Sequence, residues 1–154
     1  MLKQITSAAG RAALMGLALA LSTSAGAALE LITASEAALP NGANLELNRR
    51  AITRGPKVVV ISPAPDAGVV RSPLKLLLKF EAYGGATIDP QFVNIVYLKR
   101  PNINLTQRVG QLVGPNGIEV QNAEVPPGTH HIRVDVKDNA GRVGSATFAL
   151  MVAD

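Results

Sequence analysis

The chain has 154 residues, a formal net charge of +4, no cysteine and no tryptophan, and only five phenylalanine and tyrosine residues together. Without cysteine it has no disulfides, no cysteine metal ligands and no cysteine nucleophile. The basic residues are scattered and aromatic residues are few, so the chain lacks the pattern of a nucleic-acid-binding face, in which clustered Lys and Arg lie among stacking aromatics.

The first 27 residues have the pattern of a secretory signal peptide. Lys3 and Arg11 give a positive start, residues 12–21 form a short apolar run, and Ala25-Gly26-Ala27 is a small-x-small cleavage site. The apolar run is half of the roughly 20 residues that a membrane-spanning helix needs. We therefore expect export, to the periplasm or the exterior, of a mature chain without an integral membrane segment. Its 13 basic and 11 acidic residues leave a net charge of +2.

Residues 28–56 show no sustained hydrophobic period. Thr33 and Glu36 have the spacing of a capping box, which predicts one or two helical turns that end before Pro40. A helix this short is marginal on its own. We expect a mostly irregular and flexible segment that docks, at most, onto the domain that follows.

The remaining part, residues 57–154, is predicted to be one all-β domain. Short apolar runs recur about every ten residues and are separated by Pro, Gly, Asn and Asp. Two alternating runs define core faces, the first made of Leu74, Leu76, Leu78 and Phe80 and the second of Val93, Ile95 and Tyr97. Seven strands are predicted, at residues 57–62, 74–82, 92–99, 103–112 and 118–125 and in a hairpin within 129–152, with brief pairing of residues 69–70. Seven such strands fit an antiparallel sandwich of two sheets.

The hairpin turn has its own signal. Asp138-Asn139-Ala140-Gly141 separates the two alternating strands. Four residues that end in glycine suit a type I turn followed by a left-handed position, which glycine adopts without a Cβ clash.

Two motifs together resemble a known family. Residues 127–134 (PGTHHIRV) are followed by residues 138–142 (DNAGR), and residues 61–68 (ISPAPDAG) are followed by Pro73. The first motif is similar to the last two strands of bacterial immunoglobulin-like domains, including their fibronectin type III and cadherin-like relatives, and the second to their opening strand and crossover. The resemblance covers residues 57–152, with His130 where these domains often have a tyrosine. It implies a fold rather than a function, because this sandwich hosts many unrelated roles.

His130 and His131 are the first candidates for a metal site. Neighbouring residues on a strand point to opposite faces, so the two cannot ligate one ion without a bulge. We expect His130 to face inward and to hydrogen-bond a backbone group, and His131 to be solvated. An alternative function stays open, a small periplasmic carrier of copper or another ligand that uses His130 or His131, because residues 62–70 also resemble the opening of the periplasmic copper-carrier β-sandwich family. That family's ligand is a histidine at the mature N-terminus, which this chain lacks.

Neither a calcium site nor a reaction centre is expected. Asp66, Asp89, Asp135 and Asp138 are widely spaced along the sequence, whereas Ca²⁺ needs several converging oxygens. No serine lies in a Gly-x-Ser-x-Gly elbow. We therefore predict no enzyme, no cofactor, and no catalytic, cofactor-binding or metal-binding residues.

The outward-facing apolar residues are the remaining functional candidates. Val96, Leu98, Met151 and Leu77 lie opposite the core faces of their strands, and contiguous exposed apolar residues mark contact surfaces. The alternative is that the N-terminal segment or a loop covers them. A sheet edge is a second route to a partner, because its unpaired backbone groups accept an added strand. We predict a non-catalytic interaction module that binds another exported protein, with its oligomeric state left open.

Overall fold

The computed structural model describes residues 27–42 and 54–154, so the predicted signal peptide, except Ala27, lies outside the described residues. Within them, the prediction of an all-β domain is confirmed. In chain order the strands are β1 (Leu29–Glu30), β2 (Lys57–Ser62), β3 (Val69–Val70), β4 (Leu74–Glu81), β5 (Asn94–Tyr97), β6 (Ile103–Asn104), β7 (Val113–Gly114), β8 (Gly117–Glu124), β9 (Gly128–Lys137) and β10 (Val143–Val152). The helical turns are α1 (Ala34–Ala37), α2 (Thr106–Val109) and two 3₁₀ turns at Pro90–Phe92 and Gly110–Leu112.

The ten strands form two sheets. The first sheet has the order β1-β8-β4-β2, with β7 also paired to β8, and the second has the order β3-β10-β9-β5-β6. The pairs β1–β8 and β3–β10 are parallel. The prediction of seven antiparallel strands is therefore corrected to ten strands in two mixed sheets among the described residues. The predicted pairing of residues 69–70 is found as β3, whereas β1 and β7 were not predicted, because two residues carry no hydrophobic period.

The long strands follow the predicted alternation. Along β4 the side chains of Leu74, Leu76, Leu78 and Phe80 are buried, while Lys75 and Lys79 are exposed. Buried side chains of both sheets form a single hydrophobic cluster, an arrangement compatible with a β-sandwich. Burying one Leu or Val side chain contributes about 1.5–3 kcal/mol. The apolar period of two therefore both defines these strands and brings the sheets together.

The predicted strand at residues 103–112 is wrong beyond its first two residues. After β6 the chain turns into α2 and a 3₁₀ turn. The Asn104 side chain accepts a hydrogen bond from the Thr106 amide at 2.8 Å, and Thr106 Oγ1 accepts one from the Ile95 amide at 2.8 Å. Such side-chain bonds give the backbone an alternative to a strand ladder. Leu105 and Val109, one helical turn apart, are both buried.

The N-terminal segment carries the predicted capping box. Thr33 precedes α1, its Oγ1 accepts from the Glu36 amide at 3.2 Å, and the Glu36 carboxylate accepts from the Thr33 amide at 2.9 Å. The described part of the segment that the sequence predicts to be mostly irregular packs against the sheets. Leu31 and Ile32 are only 1% and 2% exposed and belong to the hydrophobic core. We call residues 29–42 the strap.

The hairpin between β9 and β10 closes as predicted. Gly141 has a φ of 80°, in the left-handed region. The Asp138 carboxylate is buried and accepts hydrogen bonds from the amides of Ala140 and Arg142 and from Arg142 Nε. Those bonds to the charged form hold the pKa of Asp138 below its usual range, although its burial acts in the opposite direction.

Candidate functional site

The four residues predicted to form a partner surface do not come together on one exposed face. Val96 and Leu98 are 7% and 6% exposed, so the expectation that they point into solvent is wrong. Leu77 is half-buried and lies on the first sheet, whereas Met151 lies on the second and is 42% exposed.

Backbone pairing explains the burial of Leu98. Its carbonyl accepts a hydrogen bond from the Gly42 amide at 3.1 Å, and Asn41 forms a bridge with Lys99. The end of the strap therefore lies along the chain that leaves β5. Val96 is flanked in register by Asn104 on β6 and Arg133 on β9.

Met151 lies on β10, next to the edge strand of the second sheet. Its register partner on β3 is Val69, which is 62% exposed. Among the described residues β3 is the outermost strand of this sheet, so Val69 and Met151 form an apolar pair beside a sheet edge. We call this pair the β3 edge patch.

His130 lies inside the domain, as predicted. Its side chain is buried, Nε2 lies 2.7 Å from the Pro126 carbonyl oxygen, and Nδ1 lies 2.8 Å from the Tyr97 hydroxyl. A carbonyl oxygen only accepts, so Nε2 carries the proton and Nδ1 accepts from Tyr97. Burial lowers the pKa of His130 and raises the pKa of Tyr97 to about 12, so both are neutral near pH 7.

His131 faces the other side of β9 and is half-buried rather than fully solvated, which corrects the prediction. Its Nδ1 is buried without a hydrogen-bond partner among the described residues, and burial lowers its pKa. The two histidines do not converge. His130 would have to give up two internal hydrogen bonds to bind a metal ion, and residues 27–42 and 54–154 contain no group of three or more His, Asp or Glu placed to hold one.

Lys99 is an internal cation that the sequence reading did not identify. It is 6% exposed, and its Nζ donates hydrogen bonds of 2.9 Å to the carbonyls of Ala37 and Leu39 and to Asn41 Oδ1. The ammonium also lies 5.3 Å from the centroid of the Tyr97 ring. Burial lowers the pKa of Lys99. All three acceptors belong to the strap, so Lys99 fastens the strap to the chain that follows β5.

A second cation holds the strap from the other side. Arg108 on α2 makes a two-pronged contact with Glu36, at 2.6 Å and 2.8 Å, and its Nη1 also donates to the Leu31 carbonyl at 2.7 Å. The hydrogen bonds from Arg108 lower the pKa of Glu36 from 4.5 to about 2. The sequence does not reveal this contact, because its pattern predicts a strand at residues 103–112. The capping-box spacing identifies Glu36 but not its partner.

Apart from His131 Nδ1, the internal polar groups described above bind one another or the backbone. His130 and Tyr97 fix the corner before β9, while Lys99 and Arg108 fix the strap. These contacts hold chain segments in place. The side chains of the β3 edge patch, in contrast, are exposed and free to contact a partner.

Comparisons with models of known protein families, with curated proteins and with solved structures gave no match to this chain. Among the described residues, none of the helices has the length and apolar character needed to cross a membrane.

Proposed function

We propose that this chain is an exported, non-catalytic immunoglobulin-like module that binds another protein in the periplasm or at the cell surface. Strand pairing supports the immunoglobulin-like part. The first two strands after residue 56 belong to different sheets: β2 pairs with β4, and β3 pairs in parallel with β10. Neighbouring strands β5, β9 and β10 form one sheet and β2, β4 and β8 the other, and this grouping supports an immunoglobulin-like fold.

The corner before β9 gives further support. In immunoglobulin-like domains a tyrosine near the start of the corresponding strand hydrogen-bonds to the backbone a few residues upstream. Here His130 bonds to the Pro126 carbonyl, four residues upstream. A histidine in the place of that tyrosine would make an equivalent contact.

The β3 edge patch is the observation that carries the interaction role. Val69 and Met151 are exposed side by side at the end of a sheet whose outermost strand has only two residues. An extended segment of a partner would pair with such an edge through its backbone and cover the apolar side chains. The side chains of His130, Lys99 and Arg108 are hydrogen-bonded within the domain, which supports a non-catalytic role.

Affinity capture from a periplasmic extract tests this role. We expect the mature chain to retain one stoichiometric protein, and Met151→Asp to reduce its retention at least several-fold because a carboxylate on the patch opposes burial. Leu112→Asp is the matched control, since Leu112 is 44% exposed and lies in the 3₁₀ turn before β7, a strand of the other sheet. Equal retention by both variants would refute the β3 edge patch, and retention of nothing would refute a stable protein partner.

Export is tested separately. Ala27 and Ala28 are exposed and lie just before β1, so cleavage between them would leave the contacts of the strap in place. We expect the full chain, expressed in a bacterium, to be recovered from the periplasm with Ala28 as its first residue by mass spectrometry. An uncleaved chain that stays with the cytoplasm would refute export.

A further inference from the structure

The strap is bound as a peptide ligand would be. Its described hydrogen bonds to the rest of the domain go to three places that follow much later in the sequence: the end of β8, α2, and residues 98–100 after β5. The amides of Leu31 and Ile32 donate to the Glu124 carbonyl, and the Arg100 amide donates to the Pro40 carbonyl. We call these three places, together with the core positions that receive Leu31 and Ile32, the strap groove.

The strap groove has a specific chemistry. It buries two adjacent apolar side chains, Leu31 and Ile32, and it presents two cations, Lys99 and Arg108. Within the described residues, Glu36 of the strap is the carboxylate that pairs with Arg108. Without an occupant both cations would lose these acceptors and would have water as their partner, while the core positions of Leu31 and Ile32 would be exposed, which is unfavourable for apolar surface. The groove therefore matches an extended apolar pair followed by a helical turn that carries a carboxylate.

Two features make the strap separable from its own groove. Residues 43–53 connect the strap to Arg54, three residues before β2, and eleven residues reach at most about 36–40 Å when extended. Strand β1 adds little to its attachment, because it has two residues and its Glu30 lies directly opposite Glu124 on β8. Like charges directly opposite each other on paired strands are destabilising.

We propose that the strap groove is a peptide-acceptor site that the strap of a second copy of this chain also fills, so that two copies associate by exchanging residues 29–42. The occupant is a second copy because its strap carries the apolar pair and the carboxylate that match the groove. A reciprocal exchange keeps the contacts inside each groove and is symmetric. Protein concentration and the length of the connecting segment then set the balance between the closed monomer and the exchanged dimer.

Cysteine cross-linking of the full mature chain tests the exchange. The chain has no cysteine, and Glu30 and Glu124 are exposed register partners. Paired strands lie about 4.8 Å apart, a spacing within the Cα separation of disulfides. A chain with Glu30→Cys is mixed with a chain with Glu124→Cys, incubated at high concentration and oxidised. We expect a disulfide-linked heterodimer on a non-reducing gel, with the bond between these two positions identified by mass spectrometry.

The matched control replaces Glu124→Cys with Glu119→Cys, which changes an exposed glutamate on the same strand at a position out of register with Glu30. We expect the register pair to give several times more heterodimer than this control. Equal amounts, or no heterodimer with either, would overturn the exchange. That result would leave the export test and the capture test unaffected, since neither involves the strap groove.

A charge exchange provides a second test. Glu36→Arg and Arg108→Glu each place like charges together in the closed monomer, but the strap of the first variant matches the groove of the second. We expect the mixture to form a heterodimer in native mass spectrometry, and neither variant alone to form a dimer to the same extent. The double variant Glu36→Arg/Arg108→Glu restores the pair within one chain and should return to the monomer–dimer balance of the parent. A mixture that forms no more dimer than its components contradicts the proposal.

Discussion

At the scale of single residues, the buried side chains of Tyr97 and His130 satisfy each other's hydrogen-bonding groups. Tyr97 is completely buried and donates its only hydroxyl proton to His130 Nδ1, while His130 Nε2 donates to Pro126. The contact thus depends on the neutral form of the histidine. A buried acceptor left without its donor costs more than the hydrogen bond itself contributes.

Removing the Tyr97 hydroxyl tests this contact. We expect Tyr97→Phe to lower the free energy of unfolding by about 1–2 kcal/mol, because it leaves His130 Nδ1 buried without a donor. Urea denaturation followed by circular dichroism measures the change. Tyr83→Phe is the control, since Tyr83 is 47% exposed and its loss of a hydroxyl should change stability by less than about 0.5 kcal/mol. Equal effects of the two substitutions would contradict a special role for the buried pair.

Glu36 makes stability depend on acidic pH. Its pKa is lowered from 4.5 to about 2 in the folded chain, mainly by the hydrogen bonds from Arg108. The unfolded chain therefore binds the proton first as pH falls, so the stabilisation is complete above about pH 4.5 and is lost between there and about pH 2. For a carboxylate near the surface we expect about 1–2 kcal/mol, less than an unscreened pair would contribute.

Glu36→Gln measures that contribution. The variant should be less stable than the parent at pH 7 and should approach it as pH falls toward 2, because the parent then loses the same charge. Asp66→Asn is the control, because Asp66 is an exposed carboxylate outside the strap and its contacts, and its removal should leave the difference from the parent small at every pH. A constant difference between Glu36→Gln and the parent from pH 7 to pH 2 would show that the charge does not carry the effect.

At the scale of elements, short-range signals were the most reliable. The capping box at Thr33 and Glu36 and the hairpin turn at Asp138–Gly141 are both found where the sequence indicates them. Each depends on side chains within four residues of each other, so no distant contact is needed to specify it. The segment at residues 103–112 differed because Thr106 bonds to Ile95 on another strand.

Gly141→Ala tests the turn. A side chain at a φ of 80° is strained, and we expect a loss of about 1–2 kcal/mol in the free energy of unfolding. Gly110→Ala is the matched control, because Gly110 has a φ of −52° and open space around its Cβ position. There alanine should be neutral or stabilising by up to about 1 kcal/mol. Equal losses at both positions would argue against the left-handed turn.

At the scale of the whole molecule, the strap completes the hydrophobic core. Leu31 and Ile32 belong to the same cluster as Leu78, Ile118 and Val134 from the two sheets. Folding of residues 57–154 is therefore coupled to residues that precede them by more than twenty positions.

The double substitution Leu31→Ala/Ile32→Ala tests that coupling. Each truncation of a buried aliphatic side chain costs about 2–5 kcal/mol, so we expect the variant to unfold at much lower urea concentration in one cooperative transition. Leu29→Ala, at a half-buried position of β1, should cost clearly less. If the double variant lost the strap to proteolysis while the sheets kept their stability, the strap would be an appendage rather than part of the core.

The sequence by itself determined the strand-forming runs, the inward faces of β4 and β5, the hairpin turn and the inward position of His130. These follow from a period of two and from side chains that act on neighbouring backbone. Tertiary structure decided the two-residue strands β1 and β7, the burial of Val96 and Leu98, and the contacts of Lys99 and Arg108 with the strap. Each of these depends on which distant segments come into contact. The local sequence around a cation or an outward-facing apolar residue is the same whether that side chain is exposed to solvent or buried by another segment.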